Sequence, residues 1–417
     1  MKKNAFYAQS GGVTSVINAT AASVILESKK YKSKIGKVYA GKNGILGALK
    51  EELIDTSKES KSAINSLKST RGAFGSCRFK LKSFEENKKE YIRLVEVFKA
   101  HDIGYFFYNG GNDSADTAYK VSQISKKLGY PINCIAIPKT VDNDLAETDC
   151  CPGFGSAAKY IATSTMEASL DVASMSETST KVFILEVMGR HAGWMAASSA
   201  LARIDQKDAP HIILLPEIRF NQIKFLNKVK DVVKKNEYCV IVASEGVKNS
   251  KGKFLAESDR KDAFGHSQLG GVAPYLAGLI SQKLNLKNHW AVSDYLQRSA
   301  RHISSKTDLL HAEAVGVHAV RYAIKGLNGV MPIIVRSKSE KYSWKIIPAP
   351  LSKIANVEKK LPNSFISKDG FDVTAKAIKY LKPLIQGEAY PKFKNGIPHS
   401  QKLKLVEVKK KLPSWRD

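Results

Sequence analysis

The sequence predicts an α/β protein made of two doubly wound, mainly parallel-sheet domains. Two observations carry this. Short apolar runs alternate with stretches of helical periodicity up to about residue 325, the pattern of strands joined by crossover helices. Several of the apolar runs end in glycine or in a polar cluster, and the carboxyl ends of strands are where ligands bind in open α/β sheets. The chain has 417 residues and is 43% hydrophobic, enough for two or three domains with substantial cores.

In order, residues 3–9 read as a first strand, broken by Gly11-Gly12, and residues 16–27 as a helix. This strand, glycine turn and helix form a unit suited to phosphate, although a plain tight turn reads equally well. Residues 37–40 follow as a strand, 91–101 as a helix, 103–108 as a strand ended by Gly110-Gly111, 114–128 as a helix and 132–137 as a strand. A second series runs through helix 156–173, strand 181–187, helix 191–202, strand 211–215, helix 222–235 and strand 238–243, then helices 270–284 and 309–325. From about Lys338 the chain is rich in lysine and proline and is expected to pack on the core as an extension.

Four strand ends carry chemistry. Pro138-Lys139-Thr140-Val141-Asp142-Asn143-Asp144 puts a cation and two carboxylates in one loop, where one group neutralises developing charge and another accepts a proton. A polar turn with capping aspartates is the alternative. Asn112 and Asp113 after Gly110-Gly111 offer oxygen ligands for Mg²⁺, or a helix cap. Met188-Gly189-Arg190 offers a bidentate phosphate grip, or a surface arginine after a turn. Glu245 could accept hydrogen bonds from sugar hydroxyls, or sit in a solvated loop. Tyr295-Leu296-Gln297-Arg298 adds a further basic cluster. His311 and His318, seven residues apart on a helix, lack metal-binding spacing and read as structural.

Lysine and arginine total 66 against 39 aspartates and glutamates, a formal net charge of +27. The cations are spread along the chain without interleaved aromatics, so the expectation is a lysine-rich surface and no nucleic-acid partner. Five cysteines make no CxxC pair, so reduced thiols in a cytoplasmic protein and no zinc site are expected. No apolar run approaches the roughly 18 residues a membrane helix needs.

Taken in order, GGVTSVINA, GGNDS, PKTVDND, EVMGRHAGW, SEGV and YLQR resemble the phosphofructokinase family over residues 8–298. The resemblance implies Mg²⁺-dependent phosphoryl transfer to the 1-hydroxyl of fructose 6-phosphate, in the cleft between two α/β domains. Family members that use ATP carry glycine at the positions of Asp113 and Lys139. Those that use pyrophosphate carry aspartate and lysine, as this chain does. Pyrophosphate is therefore the expected donor, with ATP as the alternative and sedoheptulose 7-phosphate as a plausible second acceptor.

The resemblance assigns Asp142 as general base and Lys139 as the cation at the transferred phosphoryl, with Thr140 and Asp144 positioning sugar and metal. Gly12 matches the donor-phosphate turn and Asn112 the metal position. Val141, Met188, Gly189, Arg190, Glu245, Tyr295, Leu296, Gln297 and Arg298 match sugar-phosphate contacts. Lys181 stands where relatives reach a neighbouring subunit's substrate, so a homodimer or homotetramer is expected. The implied domains are 1–140 with about 267–330 for the donor, 141–266 for the sugar phosphate, and an extension over 331–417. No effector site is evident.

A carboxylate at Asp113 would clash with a third phosphate. Asp113→Gly is expected to strengthen ATP binding, measured as a lower Kd in equilibrium titration. Unchanged ATP affinity would remove that charge argument.

Overall fold

The computed structural model describes residues 2–69, 72–205, 207–261 and 267–415. The first series comprises β1 (Lys3–Gln9), α1 (Ile17–Ser28), β2 (Ile35–Gly41), α2 (Ile45–Leu49), β3 (Leu53–Asp55), α3 (Lys61–Ser66), α4 (Lys88–Ala100), β4 (Ile103–Gly110), α5 (Asn112–Lys127) and β5 (Asn133–Pro138). The second comprises α6 (Phe154–Met175), β6 (Val182–Val187), α7 (Trp194–Ser198), β7 (Ile212–Leu214), α8 (Gln222–Asn236) and β8 (Cys239–Ser244). A hairpin of β9 (Glu257–Lys261) and β10 (Ser267–Leu269) leads to α9 (Val272–Leu284), β11 (Asn288–Val292) and α10 (Asp294–Ser299). The chain continues through α11 (Lys306–Ile324), β12 (Val330–Arg336), β13 (Trp344–Pro350) and α12 (Ala375–Leu381).

Among the described residues, seven strands form one sheet in the order β13-β12-β5-β4-β1-β2-β3, and four form another in the order β11-β6-β8-β7. The continuous apolar runs of β1, β5, β6 and β8 are buried nearly throughout, as central strands of parallel sheets covered on both faces must be. One buried cluster joins the two sheets, running from Ile135 and Ile137 through Phe154 to Val187 and Trp194.

The segment 267–330, expected with the first sheet, is divided. Asn288 pairs with Val182 and Val292 with Glu186, so β11 is a parallel edge strand of the second sheet, and α9 packs on it. Helix α11 packs on α1 and β5, at the first sheet. The predicted helix 191–202 shortens to α7 and a 3₁₀ turn, Ser199–Ala202; Gly193 caps its start, with its N–H donating to Glu217 at 2.9 Å.

The residues after 330 do more than pack on the core. β12 joins β5 in parallel and β13 joins β12 antiparallel from Val330↔Pro350 to Arg336↔Trp344, completing one side of the first sheet. On the opposite side, the Asp55 N–H donates to the Val406 carbonyl and the Val408 N–H to the Leu53 carbonyl, so the last stretch covers the edge at β3.

That last stretch is anchored on a buried carboxylate. Glu51 is fully buried and accepts from the N–H groups of Lys411 at 2.6 Å and Leu412 at 3.1 Å, with His101 Nε2 at 2.6 Å. Burial would push its pKa up, but these hydrogen bonds win and hold it below the usual glutamate range. A group with a depressed pKa lends stability above its unfolded value of about 4.3, and loses it as pH falls through the folded value. Glu51→Gln is expected to cost about 2–4 kcal/mol, since it weakens a buried network. Denaturant titration and limited proteolysis of residues 405–415 check this; unchanged stability with a protected tail would overturn the anchor.

Candidate active site

Parallel pairing sets the site. Gln9 lies opposite Asn109 and Gly110 opposite Pro138, so β1, β4 and β5 end side by side. Three loops therefore leave at one level: Gly11-Gly12, Gly111 to Asp113, and Lys139 to Asp144. Gly11 adopts φ +73°, open to glycine without strain. A Cβ at Gly12 would lie 2.2 Å from Arg298 Nη1, so only glycine allows that arginine against the turn.

Lys139 is 5% exposed, and its ammonium donates to the Gly12 carbonyl at 2.7 Å. Burial, then the Arg298 and Arg78 guanidinium groups, push its pKa down to about 7, against the pull of Asp142 and Asp144. Three cations thus converge on one glycine turn. They are the electrostatic complement of a highly charged anion.

Asp142 and Asp144 both hold their protons more tightly than ordinary carboxylates. Burial raises Asp142 well above the ordinary carboxylate range, helped by Asp144 and Glu245 and opposed by Lys139 and Arg298. Burial also raises Asp144, opposed by its own backbone N–H, by Lys359 and by a hydrogen bond with Thr140. The Thr140 hydroxyl also accepts from the Asp142 N–H at 3.1 Å, fixing the turn. The side chain of Val141 is buried in the core, so this member of the loop packs rather than reaches outward.

The second sheet supplies the facing loops. Gly189 stands at φ +138°, and its carbonyl accepts from the Ser244 hydroxyl. A Cβ at Gly246 would come within 2.1 Å of the Arg190 carbonyl, so the loop after β8 lies flat against Met188-Gly189-Arg190. The Glu245 carboxylate approaches the Gly189 N–H at 3.4 Å, and burial raises its pKa. Buried Gln297 accepts from the Met188 N–H at 3.2 Å, tying α10 to the same loop. Arg298 stacks over the exposed Tyr295 ring at 4.0 Å, and Leu296 is exposed.

Two residues stand apart. Lys181 lies just before β6, at the opposite end of that strand from Met188, with its ammonium 3.4 Å from the Glu177 carbonyl. Asn112 starts α5, but its side-chain oxygen accepts from the Asn356 N–H at 2.5 Å and its nitrogen donates to the Val357 carbonyl at 2.8 Å. Its amide is thus engaged by the extension.

Sequence reasoning missed Arg78 and Lys80. The loop that carries them folds over the glycine turn: Gly11 donates to the Cys77 carbonyl at 2.9 Å and Ser76 to the Gly11 carbonyl at 2.7 Å. Lys80 pairs with Asp113 at 2.7 Å. The alternation Arg78-Phe79-Lys80-Leu81-Lys82 was the available signal, with apolar residues anchoring the loop and cations facing out.

For a divalent cation, the donor set fits. Mg²⁺ is usually held by one or two carboxylates together with substrate phosphates, and Asp142 and Asp144 are two half-buried carboxylates whose raised pKa values mark uncompensated negative charge. No group of three or more acidic, histidine or cysteine side chains forms a self-sufficient metal cage among the described residues.

Comparison with known proteins bears on the whole chain. The family description Phosphofructokinase matches residues 4–323. The chain is 59% identical over 414 residues to a pyrophosphate--fructose 6-phosphate 1-phosphotransferase of Halomonas elongata, covering 99% of each chain. It is 60% identical over 415 residues, again 99% of each, to the protein of that name from Xanthomonas campestris pv. campestris. A crystal structure of a pyrophosphate-dependent phosphofructokinase from Marinobacter aquaeolei superposes with a TM-score of 0.91, at 57% identity and full coverage of both chains. With the converging cations, the paired aspartates and the two wound sheets, this match leads to one conclusion: the chain belongs to the phosphofructokinase family.

Proposed function

We propose that the three cations at the Gly11-Gly12 turn hold pyrophosphate, with the sugar phosphate facing it from the second sheet. The reaction is transfer of a phosphoryl group from pyrophosphate to the 1-hydroxyl of fructose 6-phosphate. It gives fructose 1,6-bisphosphate and phosphate and runs in both directions. The observation that carries the donor reading is Lys139, a buried ammonium beside Arg78 and Arg298 in the loop that also carries the base. A donor without adenosine needs its binding energy from such fixed charge, and Asp113 fills the space a longer polyphosphate would need.

Asp142 takes the proton of the 1-hydroxyl, whose oxygen attacks the near phosphorus as the bridging P–O bond breaks. Lys139 neutralises charge on the transferred group and the leaving phosphate. Bound Mg²⁺ would be held by Asp144 and would neutralise phosphate oxygens, leaving the Asp142 carboxylate free as the base. Thr140 orients Asp144. Met188, Gly189, Arg190, Glu245, Tyr295 and Arg298 hold the sugar phosphate, with Gln297 bracing the Met188 loop.

Lys181, remote from its own site, supports a homodimer in which it reaches the partner's sugar phosphate. Among the described residues no helix is long and apolar enough to cross a membrane. Five free, buried cysteines favour a reducing, cytoplasmic compartment.

The direct test is fructose 1,6-bisphosphate formation with Mg²⁺ and either pyrophosphate or ATP at equal concentration. Turnover with pyrophosphate is expected. Turnover with ATP alone would overturn the roles of Asp113 and Lys139.

The pH profile of kcat/KM should be bell-shaped. Its acid limb, set by loss of the Asp142 proton, and its alkaline limb, set by loss of the Lys139 proton, both fall at about pH 7, so the optimum is narrow. Lys139→Met should lower kcat with pyrophosphate by about 100-fold, raise KM by a much smaller factor and abolish the alkaline limb. A change in KM alone would reduce Lys139 to ground-state binding.

A further inference from the structure

We propose that Lys359 and Tyr380, both contributed by the chain beyond β13, are positioning residues that hold the catalytic loop in its working shape. The inference rests on the assignment of Asp142 and Asp144 made above. It adds that the loop carrying them does not hold that shape by itself.

The residue between the two aspartates is Asn143. It is completely buried and sits at φ +53°, a left-handed conformation that asparagine tolerates better than most residues. Its amide therefore needs partners. The side-chain oxygen accepts from the Cys151 N–H at 2.9 Å, and Lys359 Nζ stands 3.5 Å from it. The side-chain nitrogen donates to the Tyr380 hydroxyl at 3.0 Å. That hydroxyl donates onward to the Asp149 carbonyl.

Lys359 acts twice. Its N–H donates to the Asp144 carbonyl at 2.6 Å. Its ammonium donates to the carbonyls of Thr148 and Asp149, both at 2.9 Å, and lies 5.2 Å from the centre of the Trp194 ring. One residue thereby gathers both ends of the segment 144–149, its backbone N–H at Asp144 and its ammonium at Thr148 and Asp149. Arg336 backs the arrangement: its guanidinium stacks over Tyr380 at 4.4 Å and bonds Asp149 at 3.1 Å.

Both residues act through the backbone and through Asn143, and neither belongs to the set that meets the substrates. Losing them removes several buried hydrogen bonds around a backbone turn of unusual geometry. A displacement of the order of 1 Å in a reacting group costs up to about 100-fold in rate. The signature is a loss in kcat with little change in KM, because the groups that bind sugar and donor lie mostly on other loops.

The test compares full-length parent, Lys359→Met, Lys359→Arg and Tyr380→Phe in two measurements. In steady state with pyrophosphate and fructose 6-phosphate, Lys359→Met is expected to lose about 10-fold or more in kcat, with both KM values within about 3-fold. Lys359→Arg should recover most of the loss, and Tyr380→Phe should lose about 3-fold. In hydrogen exchange without substrates, peptides covering 139–151 should exchange faster in Lys359→Met, while those from β1 and β4 stay protected.

Parent-like kcat with parent-like exchange at 139–151 would overturn the proposal, as would faster exchange spread evenly over the molecule. Should Lys359→Met fail to fold, Tyr380→Phe, which removes one hydroxyl, decides by the same two readouts. A parent without pyrophosphate-dependent turnover would defeat the reaction assignment. The exchange result would still judge the loop.

Discussion

The architecture turns on keeping one ammonium group buried at the end of a strand. Lys139 lies between two arginines that repel it and two aspartates that attract it, with the Gly12 carbonyl as its hydrogen-bond partner. Burial first, and the two arginines after it, lower the pKa of this ammonium. An anion with several charges would restore it, so the site gains affinity from tension already present in the protein. Of the two glycines before α1, Gly12 leaves the space that Arg298 occupies and Gly11 takes up the left-handed backbone at φ +73°. The parallel register of β1, β4 and β5 is needed because it delivers the three loops at one height.

The chain beyond β13 belongs to this arrangement. Residues 356–361 run from α5, where Asn356 and Val357 hold Asn112, to the second sheet, where the Leu361 N–H donates to Glu217 at 3.0 Å. Between these ends, Glu358 meets His191 at 2.8 Å and Lys359 meets the Asp144 loop. One stretch of backbone therefore touches both walls of the cleft.

Much of this was legible in the sequence, and the failures have physical causes. The central strands were plain because burial on both faces demands unbroken apolar runs. The loop from Lys139 to Asp144 was plain because charge is concentrated where such a run stops. β11 was missed because an edge strand needs no apolar run: His289 and Trp290 are exposed in it. β12 and β13 were missed because Pro332, Pro348 and Pro350 argue against strands, yet these prolines sit in a terminal antiparallel pair at the edge of the sheet. Arg78 escaped notice because its loop joins the site only in space, through the Cys77 carbonyl. That residues 356 and 357, some 244 positions on, engage the amide of Asn112 was not legible because nothing local reveals it.

The covering of β3 by the stretch around Val406 has a consequence for biosynthesis. As the polypeptide leaves the ribosome, β1 to β5 are made early, but the strands that flank and close their sheet come among the last ninety or so residues. Until then the sheet presents unpaired N–H and C=O groups along both margins, open to pairing with neighbouring chains. A nascent chain stalled after β11 would hold Asp142 and Asp144 and still be a sticky intermediate. For this protein, protection from self-association is completed by the same late-made segment that finishes the site.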